Sequence, residues 1–377
     1  MALARLVTMF DKPLQIGNLT LANRAVLAPL AGVSDVPFRR ICQEAGAGLT
    51  YVEMLSAVAV NRRSDRTLKM MARHASEEIL GIQVTGPDPA SVAESTKLFD
   101  EMGFETIDLN MGCPVRKVVG KGWGSAILCD PQKAEDMVKA CKDATDRPVT
   151  AKIRLGFTRN TLNVDEISER LTRAGADMLT IHGRCRSESY SRPVDRAGVK
   201  LGFDHVDPTR PHVVKLGNGD VMDFDSGAAM MREAECDGVM VSRGALGNPW
   251  VFRQLLGGHN IHPTVEEWFE VLLRHLDYHE AHYGSGHGGT VRFRKHVLWY
   301  ATGFPGSRAM RSVLSTTPTL AEVRERLKDY VATIPPGTVR HGDTKVATDH
   351  DPKYDMDRKL DRGVGDDDGS PAGSSDQ

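Results

Sequence analysis

A chain of 377 residues carrying 48 basic and 50 acidic side chains is long enough for a barrel-sized core with a smaller second domain. Its six cysteines stand far apart, with no CxxC pair and no Cys/His grouping at zinc spacing, which excludes a disulfide framework and predicts a reduced protein without a metal. No run reaches the ~18 apolar residues of a membrane span, and the N-terminus lacks a long apolar core, so a soluble cytoplasmic protein is expected. The net charge of −2 does not exclude nucleic acid: ten Asp against six Lys or Arg lie in residues 338–377, which leaves the preceding part at +2.

Apolar runs at 25–30, 49–52, 79–84, 106–109, 149–153, 178–181, 213–216 and 238–241 are separated by amphipathic or polar stretches. Eight such units predict βα repeats closing into a (β/α)8 TIM barrel rather than an open doubly wound sheet. Asp88-Pro89, Asp130-Pro131 and Asn248-Pro249 each read as an N-cap followed by a proline at the first helical position. After Gly257-Gly258 the pattern changes: Thr264 with Glu267 and Thr319 with Glu322 are capping boxes, and helical spacing recurs at 265–284, 290–302, 307–315 and 320–331. The expected organisation is a barrel over 1–258, a small helical bundle over 259–335, and a disordered acidic tail over 336–377.

In a barrel the C-terminal strand ends open on one face, where loops build the active site. Polar residues gather at those ends: Glu53, Gln83, Asn110, Lys152 with Arg154, His182, 218–220 and 242–244. Any one of them could simply mark the return of polarity after a buried strand; as a set they point at one mouth. The densest stretch is 107–126, IDLNMGCPVRKVVGKGWGSA. Its strand should end at Asn110, and its loop sets Cys113 before Pro114 and beside Arg116 and Lys117. A lone loop cysteine is often inert, but a thiol at a strand's C-terminal end next to cations has the setting of a reactive group.

Asn110, Gly112, Cys113, Pro114, the following cations and Gly124-Ser125-Ala126 resemble the signature of the tRNA-dihydrouridine synthases, flavoenzymes that reduce uridine in tRNA. The resemblance runs over residues 14–331. It implies FMN, NADPH (or NADH) as reductant, and Cys113 as the proton donor for reduction of the uridine C5=C6 bond. It places the flavin on Pro29, Leu30, Ala31, Gln83, Lys152 and His182. Independently, the loops after strands seven and eight are where barrels hold a phosphate, here Asn218, Gly219, Asp220 and Ser242, Arg243, Gly244. Lys152 and His182 would serve as cations beside the reduced flavin. The cations flanking Cys113 favour thiolate, which conflicts with a general acid unless RNA phosphates occupy them.

For the RNA, residues 287–311 hold Arg292, Arg294, Lys295, Arg308 and Arg311 without an acid, interleaved with Phe293, Trp299, Tyr300 and Phe304, a footprint for phosphate contacts. Arg116, Lys117, Arg184 and Arg186 are further candidates, and residues 61–74 form a second basic run whose plain reading is a solvated helix. The chain departs from the family pattern at Arg192, Arg196 and Ser242, and residues 200–211 are longer than usual. The expected molecule is a monomer that binds tRNA. The rivals are an FMN barrel acting on a free pyrimidine, of the dihydroorotate dehydrogenase kind, and a tRNA-binding relative without turnover.

Overall fold

The computed structural model describes residues 8–341. A hairpin of β1 (Leu14–Ile16) and β2 (Leu19–Leu21) comes first. The barrel strands follow: β3 (Ala25–Leu27), β4 (Thr50–Tyr51), which is extended by β5 (Leu55–Ser56), then β6 (Leu80–Thr85), β7 (Thr106–Met111), β8 (Val149–Arg154), β9 (Met178–His182), β10 (Val214–Asn218) and β11 (Gly238–Val241). All neighbours are parallel, in the order β3-β11-β10-β9-β8-β7-β6-β4. The ring closes through the bridge Val26–Leu49 and the bond from Leu27 N to Leu49 O at 2.9 Å. Leu14, Ile16 and Leu21 of the hairpin pack on Tyr51, Met178, Leu216 and Met240 and plug the N-terminal end.

Alternation sets what the barrel encloses. Ile82, Ile107, Leu109, Ala151, Ile153, Leu179 and Ile181 belong to the main apolar core, while Gln83, Asp108 and Thr150, and then Asn110, Lys152 and Thr180, lie side by side in register between them. A β7 ending at Asn110 is corrected by this register. The strand continues through Met111, pairing Asn110 with Lys152 and Met111 with Ile153, because the polar side chains have inward partners.

The helices on the barrel are α1 (Val36–Glu44), α2 (Ala57–Asn61), α3 (Asp65–Met70), α4 (Pro89–Glu101), α5 (Arg116–Val119), α6 (Pro131–Lys142), α7 (Val164–Arg173), α8 (Arg196–Asp204), α9 (Phe224–Ala234) and α10 (Trp250–Gly257). Asp88 and Asp130 cap α4 and α6 as expected, accepting from Ser91 N (2.8 Å) and Lys133 N (3.0 Å). Asn248 does not cap α10. Its amide turns back to Gly244 O at 3.2 Å, and Pro249 takes the cap position with no side-chain bond.

The helical domain contains α11 (Val265–Tyr283), α12 (His287–Tyr300), α13 (Ser307–Thr316) and α14 (Leu320–Ala332). They enclose Trp268, Leu272, Leu276, Phe293, Val297, Tyr300 and Leu327, and Trp268 Nε1 donates to Tyr300 O at 2.9 Å. The domain docks on α1: Arg274 pairs with Glu44 at 3.1 Å, Tyr278 Oη donates to the same carboxylate at 2.7 Å, and Phe38 packs against His275 and His296. This sets α12 beside the first loop of the mouth. Structure also continues past the composition change at Pro335-Pro336: Val339 bridges Thr264, and Arg340 donates to Gly247 O at 2.7 Å. The ordered part therefore includes 336–341, assigned above to the tail; the rest of that tail lies outside the described residues.

Candidate functional site

Cys113 follows β7 at the C-terminal mouth, and a chain of side chains holds its backbone. Asn110 Oδ1 accepts from Cys113 N (2.8 Å) and Gly112 N (3.1 Å), and Asn110 Nδ2 donates to Gln83 Oε1 (2.9 Å). Gln83 Nε2 donates to Asp108 Oδ2 (2.7 Å), whose other oxygen accepts from Thr150 Oγ1 (2.6 Å). On the other side Arg154 Nε donates to Gly112 O at 2.8 Å. Gly124, at φ +59, closes over the loop: a Cβ there would lie 2.9 Å from both Cys113 Cβ and Cys113 O, so the backbone can pass only without a side chain.

The thiol's proton is governed by burial, not by the two adjacent cations. Burial raises the Cys113 pKa above its ordinary value; the Val115 backbone bond and the cations Arg154 and Lys152 oppose this. Arg116 and Lys117 are exposed on α5 and contribute no resolved effect on the thiol, so the conflict expected from the sequence is absent.

Lys152 Nζ donates to Asn218 Oδ1 at 2.8 Å, and Asn218 Nδ2 donates to Met240 O (2.7 Å) and Ser242 Oγ (3.1 Å). The serine that departs from the family pattern thus anchors the amide that aims the lysine. Burial, then the Arg154 charge, lowers the Lys152 pKa to about 7, with Asp108 and Cys113 pulling upward. Asp108 is raised to about 6 by burial, against its bonds to Thr150 and Gln83 and the Lys152 charge. His182 is corrected from cation to neutral imidazole. Burial and the charges of Arg154, Lys152, Arg184 and Arg243 drive its pKa well down, and its Nε2 faces an Arg184 nitrogen at 3.2 Å, so Nε2 accepts and Nδ1 carries the proton.

Arg184, expected at the RNA surface, is 1% exposed and lies in the floor of the mouth. It donates to Asp220 Oδ2 (2.6 Å), Tyr190 O (3.2 Å) and Arg192 O. Arg243 reaches Asp220 Oδ1 at 3.0 Å. The Tyr190 ring stacks on His182 at 6.0 Å, with Arg243 over it at 4.3 Å and Arg154 donating to its hydroxyl at 3.2 Å. Gly219 sits at φ +114, where a Cβ would meet Val194 at 2.7 Å and His182 at 2.9 Å, and a Cβ on Gly244 would strike Val221 O at 2.2 Å. Both phosphate-loop candidates are therefore places of close backbone approach. The mouth as built joins a half-buried thiol, a half-buried ammonium, a neutral imidazole and clustered guanidiniums.

Comparison with known proteins places the chain in a family. Residues 26–334 match the dihydrouridine synthase family. The chain belongs to that family. It is 32% identical to the "Probable tRNA-dihydrouridine synthase" of Rickettsia conorii over 85% of this chain and 97% of that one. It is 36% identical to the "Probable tRNA-dihydrouridine synthase 1" of Synechocystis sp. over 86% and 91%, and 34% identical to the "tRNA-dihydrouridine synthase B" of Pasteurella multocida over 80% and 91%. A solved morphinone reductase has a weak likeness, with a TM-score of 0.49 at 15% identity over 69% of this chain and 93% of that one.

The remaining candidate residues of this dihydrouridine synthase family member divide between the barrel interior, the first-strand loop and the helical domain. Gln83 is 1% exposed and both ends of its amide are engaged within the barrel, so it acts on Asn110 and Asp108. The first-strand loop is tight: Leu30 N donates to Ser34 Oγ at 2.9 Å, with Pro29 half-buried and Ala31 exposed. Arg292 is exposed, over the Tyr283 ring at 5.2 Å. Arg294 is half-buried and donates to Thr317 O at 3.2 Å; Lys295 is half-buried, close enough to Asp35 and Glu53 to act on their charges. Phe293, Trp299, Tyr300 and Phe304 are core residues, at most 7% exposed. Releasing one to stack on a base would cost roughly 3–5 kcal/mol, more than the roughly 1–3 kcal/mol such stacking returns. The aromatic part of the expected RNA footprint is thereby corrected.

Arg186 is half-buried over Phe157 at 5.0 Å and close enough to Arg116 to depress its own pKa further than burial alone. In the second basic run, Arg62, Arg63, Arg66 and Lys69 are exposed on and before α3. The departures are accounted for on the surface: Arg192 pairs with Glu188 at 3.3 Å, Arg196 pairs with Glu233 at 3.1 Å, and Asp207 of the longer segment takes Thr172 Oγ1 at 2.9 Å through its backbone N–H. Sequence reasoning missed Asp108 and Tyr190 as site residues. Asp108 had a signal in its position two before Asn110, hence on the same inward face; Tyr190 had none, since only the folded loop returns it to His182.

Among the described residues, no group of three or more His, Cys, Asp or Glu is placed to hold a metal ion, and no helix is long and apolar enough to cross a membrane.

Proposed function

We propose that this protein is an FMN-dependent tRNA-dihydrouridine synthase of the cytoplasm, in which Cys113 is the proton donor. The observation that carries the reading is a thiol whose pKa burial raises, at the C-terminal mouth of a barrel and within reach of the charges of a half-buried lysine and Arg154.

The residues present suit FMN. Lys152 is half-buried, its hydrogen-bond acceptor is a neutral amide, and burial lowers its pKa despite the pull of Asp108 and Cys113, so an anionic ring edge would stabilise its charged form. The loops of Gly219 and Gly244 pack closely on Val194, His182 and Val221, with Arg243 in the second of them, and loops at these two strand ends are where barrels hold a phosphate. The neutral His182 offers a single Nδ1–H donor and no charge. Bound there and reduced by NADPH, FMN would supply a hydride for uracil C6.

The chain's own part is the proton. A uridine turned into the mouth presents C5 to Cys113, and a thiol above its ordinary pKa reaches neutral pH with its proton in place. After transfer, Arg154 and Lys152, the two cations that act on this sulfur, stabilise the thiolate until solvent reprotonates it. The exposed cations Arg116, Lys117 and Arg292, with the half-buried Arg186, would meet tRNA phosphates, and the helical domain would form a second wall.

Purified protein should show flavin absorbance in the visible region. Lys152→Met should weaken FMN binding by roughly 10- to 100-fold, the 1.5–3 kcal/mol of one charged hydrogen bond. A colourless protein that takes up no FMN would contradict the reading.

A further inference from the structure

The chain from Asp108 to Cys113 has a direction fixed at both ends. A main-chain N–H can only donate, so Asn110 must turn Oδ1 to Cys113 N and Nδ2 to Gln83. A carboxylate can only accept, so Asp108 requires the Gln83 amide nitrogen, which leaves Oε1 for Asn110. Each requirement by itself orients the Gln83 amide, and the two agree on one arrangement. The inner part of the chain is buried: Asp108 is 0% and Gln83 1% exposed, so no water competes for the bonds between them. Thr150 Oγ1 holds the second carboxylate oxygen, and register places Gln83 beside Asp108 and Asp108 beside Thr150 on neighbouring strands. A rigid strand network thus ends on the residue that carries the thiol.

We propose that Asp108 and Gln83 are positioning residues for proton delivery, holding the Cys113 backbone, through Asn110, at the place from which its thiol reaches the substrate. The proposal rests on the reading of Cys113 as proton donor. Its content is polarity: what matters is the alternation of donor and acceptor along the chain that turns Asn110 Oδ1 to Cys113 N, not the volume of either side chain. A misplacement of about 1 Å lowers turnover by about 10²-fold, and that is the loss expected when the polarity is broken.

Three variants separate polarity from packing. Gln83→Met keeps the volume but cuts the chain, and should lower kcat for tRNA about 10²-fold with KM for tRNA unchanged. Gln83→Glu sets two buried carboxylates against each other and should be impaired at alkaline pH, where both ionise, and recover as pH falls and a shared proton bridges them. Asp108→Asn combined with Gln83→Glu restores every bond, since the amide introduced at position 108 donates to the carboxylate introduced at position 83, and that carboxylate still accepts from Asn110. This double variant should regain most of the kcat.

Thermal melting and flavin absorbance are recorded on each variant and kcat is compared per bound flavin; since the family resemblance also places Gln83 on the flavin, the recovery in the double variant is the reading that an altered flavin contact at position 83 would not produce. Full activity in Gln83→Met overturns the proposal, as does a double variant that melts and loads flavin like wild type yet shows no recovery. The two readings fail separately: turnover retained in Cys113→Ala removes the proton-donor role, whereas an inactive Cys113→Ala beside a fully active Gln83→Met removes only the positioning role.

Discussion

Cys113→Ala is expected to form dihydrouridine about 10²- to 10⁴-fold more slowly than wild type, the range for a lost general acid. The side chain is small and half-buried, and its loop is held by main-chain bonds from Asn110, Arg154 and Ser125, so alanine should leave the loop in place. Flavin content and its reduction by NADPH should therefore match wild type, and loss of flavin would instead make the cysteine structural. The pH profile carries the same claim. The active form is the protonated thiol, and burial raises its pKa, so the donor stays competent throughout neutral pH and the fall in kcat belongs on the alkaline side, above the ordinary thiol range. An activity that instead rises with pH through that range would mark a thiolate nucleophile.

The second large effect concerns tRNA affinity. Each phosphate contact contributes about 0.7–0.9 to the slope of log affinity against log salt, so removing three contacts should flatten it by about two to three units. The sequence points to Arg292, Arg294 and Lys295, but folding leaves only Arg292 of these exposed. The better triple is Arg116→Ala, Lys117→Ala and Arg292→Ala, all three exposed. Salt titrations of tRNA binding on wild type and triple variant should give clearly different slopes, with NADPH oxidation by a small artificial acceptor unaltered. Parallel slopes would place the RNA elsewhere, with the exposed cations of 62–69 as the next surface to test.

The barrel was legible because its signals are local. Apolar runs mark the barrel strands, Asp-Pro pairs mark two of the helix starts, and polarity returns at seven of the eight C-terminal ends. Asn248-Pro249 has the same two letters' logic and fails, since a tertiary bond to Gly244 competes for the amide. The motif around Cys113 identified the thiol, but its protonation could not be read from neighbours in sequence. Arg116 and Lys117 adjoin it along the chain and point to solvent, while Arg154 and Lys152, remote in sequence, are the cations that reach it. His182 and Arg184 illustrate the same limit. Burial, which no residue announces alone, turns one from cation to neutral donor and the other from RNA contact to floor.

The most direct measurement is the mass of a tRNA before and after incubation. Unmodified transcript, NADPH and the FMN-loaded protein are combined, and the digested RNA is read by mass spectrometry. The expected result is a gain of two hydrogens at specific uridines, present with wild type and nearly abolished with Cys113→Ala. Unchanged tRNA from a preparation whose flavin is readily reduced by NADPH would contradict the proposed function.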